Sequence, residues 1–185
     1  MSSPLLTRIA AEHAAASAAQ SAAPQSLAHR RNALQGLLAR GLPSTRDENW
    51  RYANLRPLEK ANFTPATTAP TISAAELPAA IEGFTRFVFV DGQFAPQLSA
   101  TPGAIGAATV TRLQGELATH DQALALLNEA FATDGADIQV AATAVPVDLE
   151  VLFYSSSTAA AYPRLNVRLA ANARLRRPRR ARRSW

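Results

Sequence analysis

The sequence contains no cysteine, which excludes disulfides, a thiolate nucleophile and cysteine-ligated zinc or iron–sulfur sites within this chain. Histidine is sparse and scattered. His13, His29 and His120 have no second histidine or carboxylate three or four residues further on, the spacing a helix-borne metal site uses, and all three read as ordinary surface or helix-end residues. Gly-x-x-x-x-Gly-Lys, Gly-x-Gly-x-x-Gly and Gly-x-Ser-x-Gly are missing too, so ATP hydrolysis, dinucleotide binding and serine-hydrolase chemistry lack their customary signatures. No apolar run approaches the roughly 18 residues of a membrane span, and no basic stretch followed by an apolar one opens the chain. The reading is a soluble, cytoplasmic protein without a membrane partner.

Large side chains are scarce as well. Aromatic residues make up 6% of the 185 positions, and alanine supplies much of the 48% that is hydrophobic while burying little area apiece. The core is therefore expected to gather around Phe87, Phe89, Phe94, Phe131, Phe153, Trp50, Tyr52 and Tyr154. Charge is unevenly placed. The net charge is +5, but Arg174 to Trp185 holds seven of the 19 basic residues and none of the 14 acids, and the remainder carries −2. Seven phosphate contacts from such a tail would give a log–log salt slope of roughly −6 on duplex DNA. Unstructured basic tails bind anions with little sequence preference, and this one carries a single aromatic, Trp185, so a nucleic-acid function is not expected.

Helical spacing predicts one helix from Pro4 to about Ala23 and a second from Ser26 to Arg40, with Gly41 and Pro43 as its stop. Thr45 and Glu48 have capping-box spacing for a short turn, residues 64–72 read as loop, and Ser73 with Glu76 caps another turn. Residues 85–90, Asp91-Gly92 and residues 93–96 predict a hairpin, since Asp-Gly accepts the positive φ of a type I′ turn and Pro96 ends the return strand. A strand over 107–113 and a helix over 122–131 follow. Three β-like runs then succeed one another: Ile138 to Val140, Leu149 to Tyr154 and Arg164 to Leu169. They suggest a sandwich, barrel or parallel β-helix, and are too few to close any of these.

Three ordered segments carry a resemblance: Gly41-Leu42-Pro43 with Arg46-Asp47-Glu48-Asn49-Trp50-Arg51-Tyr52 and Leu55-Arg56-Pro57-Leu58; Phe87 to Gly92; and Leu127 to Gly135. Over about residues 25–175 the chain resembles the SufD family, scaffold proteins of the SufBCD iron–sulfur cluster assembly system. That resemblance implies an α+β chain whose N-terminal helices and β-hairpin region (1–132) lead into the first rungs of a right-handed parallel β-helix (133–175), followed by a basic tail (176–185). It implies a scaffold rather than an enzyme. SufB and SufC are the implied partners of the full-length family member, with their docking regions outside this chain, and the iron–sulfur cluster belongs to the parent complex. No cofactor is assigned to this chain.

Arg46, Asp47 and Glu48 cluster at a helix start, where charge complements the helix dipole without any substrate. Trp50 and Tyr52, followed by Leu55 and Leu58, read as packing of a connecting segment rather than as a stacking platform. No catalytic, cofactor-binding or metal-ligating residue is assigned. The alternative reading is a free-standing small α+β interaction module whose basic tail binds anionic partners. After Leu175 the β pattern gives way abruptly to arginine and proline, as an out-of-frame reading of GC-rich DNA would, and the chain is expected to be a truncated, functionally impaired form. Resequencing the locus checks this: an in-frame continuation of the β pattern one nucleotide away is the expected result.

Overall fold

Alanine, leucine and arginine are strong helix formers and supply 22 of the first 40 residues. In the computed structural model, which describes residues 3–19, 24–67, 70–112 and 122–176, helix α1 spans Pro4–Ala19 and buries Leu6, Ile9, His13 and Ala16 along one stripe. The predicted continuation to Ala23 lies outside the described residues. Helix α2 spans Pro24–Arg40, starting two residues before the expected Ser26 and ending where expected, with the Gly41 amide donating to the Leu37 carbonyl at 2.8 Å. Helix α3 spans Ala123–Phe131 and buries Ala123, Leu127, Ala130 and Phe131.

These faces meet in one apolar cluster with Ala33, Leu37 and Phe63. Two aromatics not singled out from the sequence complete it. Tyr162 stacks on Phe131 with ring centroids 5.1 Å apart and donates its hydroxyl to the Phe63 carbonyl at 2.7 Å. Burial, aided by the Glu12 carboxylate, raises the Tyr162 phenol above its usual range. The Arg8 guanidinium lies over the Phe63 ring and donates to the carbonyls of Leu58, Glu59 and Ala61, tying the 3-10 turn Arg56–Lys60 to α1.

By contact, the described residues form two units. One comprises 3–19, 24–67, 122–133 and 157–162, and the other 70–112, 134–156 and 163–176. Both draw on chain from either side of residue 132, so compactness and chain order divide the molecule differently.

The second unit holds two four-stranded sheets built from β1 (Thr85–Val90), β2 (Gln93–Phe94), β3 (Gly103–Ile105), β4 (Ala108–Arg112), β5 (Ala136–Val140), β6 (Val147–Tyr154), β7 (Leu165–Leu169) and β8 (Leu175–Arg176). Their orders are β2-β1-β6-β8 and β3-β4-β5-β7. The hairpin forms as predicted, with φ of 49° at Asp91 and 83° at Gly92, and Pro96 ends the return strand by opening a short 3-10 turn. Ser73 and Glu76 form the expected capping box. The arrangement is α+β, with mixed sheets. From β5 onward successive strands alternate between the sheets, and β7 and β8 each pair in parallel with the strand two before, β5 and β6.

Where the structure departs from the sequence reading, local chemistry gives the reason. The Thr45–Glu48 capping box does not form. Asp47 instead accepts the Ser44 amide and hydroxyl at 2.7 and 3.1 Å, because a carboxylate is a stronger acceptor than a threonine hydroxyl, and those bonds lower its pKa. Tyr52 is 93% exposed and covers no core. The Arg51 guanidinium stands 5.8 Å from its ring centroid. Arg176, assigned to the tail, is a strand residue, because Asp148 on the adjacent strand accepts its guanidinium and gives the strand a charged partner. His13 is buried rather than at the surface, since it falls on the apolar stripe of α1.

Two expected outcomes follow from this packing. A Cβ at Gly135 would sit 2.6 Å from the Arg164 carbonyl oxygen, the same oxygen that accepts the Ala136 amide at the start of the β5–β7 ladder. Gly135→Ala should therefore cost about 1–3 kcal/mol of stability, read by urea denaturation. Around His13, burial and then the Arg30 charge lower its pKa below the ordinary 6.5, with Arg31 adding to the effect and the Ala130 backbone hydrogen bond opposing it. The unfolded chain takes up that proton first, so this contribution is full above pH 6.5 and is lost as pH falls toward the folded value. Stability should decline from pH 7 to pH 5 by up to about 1.4 kcal/mol per pH unit, and His13→Leu should flatten the profile.

Candidate functional site

A strand buries alternate side chains, so the sheets of the second unit present two opposed inner faces. Phe87 and Phe89 of β1 with Val147 and Leu149 of β6 form one side of a shared cluster; Ala108 and Val110 of β4 with Ala136, Ile138 and Val140 of β5 form the other. Outside β1, Val88 and Val90 pack on Leu77 and Ala95, so that strand is covered on both faces. The opposite end of the unit differs. In β7 the residues in register with Ala136, Ile138 and Val140 are Leu165, Val167 and Leu169, and these are 45%, 41% and 53% exposed. Phe153 of β6 packs its ring against Phe89 at 5.2 Å yet is 37% exposed. Inner-face residues thus pass from fully buried to exposed within one strand spacing, and β7 is the edge of its sheet among the described residues.

The other face of this edge is polar and held. Asp137 accepts Asn166 at 2.7 Å and, on its second oxygen, Arg168 at 2.6 Å and Gln139 at 3.2 Å. One carboxylate therefore fixes both side chains of β7 that point away from the apolar stripe. Further back, Asp134 is almost fully buried and accepts the Arg112 guanidinium and the amides of Phe94 and Gly135. Glu150 is buried against Arg86, its register neighbour in β1, at 2.7 Å. Each of these carboxylates is committed to strand-to-strand contacts, and none is poised over a nucleophile.

The residues weighed from the sequence do not converge. His29 pairs with Glu129 at 2.7 Å between α2 and α3. His13 lies against Phe131 with centroids 5.4 Å apart, and His120 lies outside the described residues. Asp47, Glu48 and Trp50 do line a cleft of about 450 Å³ with Arg40, Gln122 and Ala123. It mixes both signs of charge and contains no nucleophile with a base beside it. Among the described residues no group of three or more His, Asp or Glu side chains could hold a metal ion, and no helix is long and apolar enough to cross a membrane. The β7 edge was missed as a site. Its signal was in the sequence as the alternation Leu165, Val167, Leu169 against Asn166 and Arg168.

The class this arrangement defines is an α+β protein with two mixed sheets and, among the described residues, no cluster of chemically matched groups and an apolar sheet edge left to the surface. No family model matches the chain. Among curated proteins, the iron–sulfur cluster assembly protein SufD of Escherichia coli (strain K12) is 37% identical to it over 82 residues. The match takes in 44% of this chain and 18% of that protein, and supports a SufD-like relationship for that stretch.

Proposed function

We propose that this chain is the opening portion of a SufD-like scaffold of iron–sulfur cluster assembly: a cytoplasmic, non-enzymatic component whose two sheets are the first rungs of a right-handed parallel β-helix. The observation that carries this reading is the alternating parallel ladder. Asp137 meets Asn166 after 29 residues and Asp148 meets Arg176 after 28, so from β5 onward the chain returns to the same lateral position after a near-constant interval in each sheet. Stacked coils repeat in this manner, and each buries its inner face only when a neighbour lies against it. The exposure of Leu165, Val167 and Leu169 fits a surface on which another such coil stacks.

In this reading the partners are SufB and SufC, the cluster is cargo of the assembled complex, and this part of the scaffold contributes support and no ligands. The resemblance assigns the gripping surfaces to later parts of the scaffold. A chimera in which residues 24–176 replace the corresponding segment of the E. coli relative tests the proposal. The chimera should co-purify with SufB and SufC, and the 185-residue chain alone should capture neither. A folded chimera that fails to capture both partners would overturn the reading.

A further inference from the structure

Helix α1 is held unevenly along its length. Its first half carries Leu6 and Ile9 into the apolar cluster, Arg8 donates to the carbonyls of Leu58, Glu59 and Ala61, and Glu12 accepts the Phe63 amide at 2.7 Å. Beyond His13 the helix buries only Ala16, while Ala14, Ala15, Ala18 and Ala19 are exposed. His13 is therefore the last large side chain that fastens α1 to its neighbours, and it is a titratable one.

Its surroundings suit the neutral ring alone. The residue is 4% exposed, and its ring stands at 85° to that of Phe131. Nε2 is buried without a hydrogen-bond partner, and the Ala130 backbone serves the other ring nitrogen. A neutral imidazole has one bare nitrogen, whereas the imidazolium carries two N–H groups, and the second would be buried here with no acceptor. The charges that face the ring have the wrong sign to help. From α2 these are Arg30 and Arg31; α3 presents the Ala130 backbone and the Phe131 ring; on α1 itself, Glu12 is taken up by the Phe63 amide and by Arg8 at 3.5 Å.

We propose that His13 is an acid-operated latch: protonation of its ring releases residues 13–19 of α1 from α2 and α3 while residues 4–12 stay docked. The released turns are mostly alanine and lose little by facing water, whereas a docked imidazolium would be an unsatisfied charge beside two guanidinium groups. Helices α2 and α3 are joined independently of the latch, since a Cβ at Gly36 would lie 3.5 Å from the Leu126 methyls and His29 bonds Glu129 at 2.7 Å. The direction of the response follows from linkage. Burial and then Arg30 hold the docked His13 below the ordinary 6.5, so the released state takes up the proton first and is favoured as pH falls below that value. The inference draws nothing from the scaffold reading and stands or falls apart from it.

Hydrogen–deuterium exchange of the full chain in low urea separates local release from global unfolding, because a local opening exposes little surface and responds weakly to urea. At pH 7 the amides of residues 14–19 should exchange with little dependence on urea, while those of β1 and β6 follow global unfolding. At pH 5 residues 14–19 should exchange about tenfold faster than the change in intrinsic rate accounts for. His13→Leu should remove this acid response. His13→Asn, which keeps a donor for the Ala130 backbone and cannot be protonated, should remove it too, so that the test survives if one of the two variants fails to fold. A urea dependence as steep for residues 14–19 as for β1, no acceleration at pH 5, or an acceleration that persists in a folded variant would each overturn the proposal.

Discussion

Lateral pairing between parallel strands is the constraint on which the rest of the second unit depends. A parallel strand has no tight turn to fix its register; the match is set by which side chains reach the inner face and which polar groups find partners outside it. In the β5–β7 ladder both conditions agree. Ala136, Ile138 and Val140 align with Leu165, Val167 and Leu169 on the inner side, while Asp137 gathers Asn166 and Arg168 on the outer side. A one-residue slip would break the carboxylate contacts and turn the apolar stripe outward together. The β1–β6 ladder repeats the device with Arg86 and Glu150, this time buried, where an unpaired charge is costly.

Much of this was legible in the sequence because it is local. Helix α2 ends at its basic residue and glycine, the Asp91-Gly92 turn adopts the positive φ its residues permit, and Ser73 with Glu76 caps a turn through contacts three residues apart. The three later β runs were readable from β-branched and aromatic residues, although β5 and β6 begin two residues earlier than predicted. Strand β3 was missed because Gly103-Ala104-Ile105 has neither length nor bulk, and its strand character comes from the ladder with β4. Strand β8 was missed because Leu175 and Arg176 belong by composition to an arginine-rich run; only Val147 and Asp148, far back in the chain, make them a strand.

The candidate site was legible in pattern and illegible in meaning. Alternation of Leu165, Val167 and Leu169 with polar residues announces a half-buried strand, and nothing local says that the apolar half reaches the surface. That follows from β7 standing at the end of its sheet. The aromatic segment around Trp50 shows the converse error: a run of large residues invites a core assignment, yet Tyr52 projects outward beside Arg51. Phe63 and Tyr162, nearly a hundred residues apart, do that work instead, and sequence gives no sign that they meet.

The two connections flanking the ladders differ in how much change each can absorb. Residues 141–146, between β5 and β6, are tied by the Ala141 and Thr143 amides to the Ala107 and Asn172 carbonyls but bury no side chain, and Val145 is exposed at their tip. Residues 155–164, between β6 and β7, are pinned along their length: Ser156 binds Asp91, Ala160 bridges to Pro65, and Tyr162 stacks on Phe131. Extra residues inserted in the first stretch add only a slowly growing loop-closure entropy, whereas the same insertion in the second would pull the Tyr162 ring from the apolar cluster it packs against. Natural length variation should therefore accumulate between β5 and β6 and be scarce between β6 and β7.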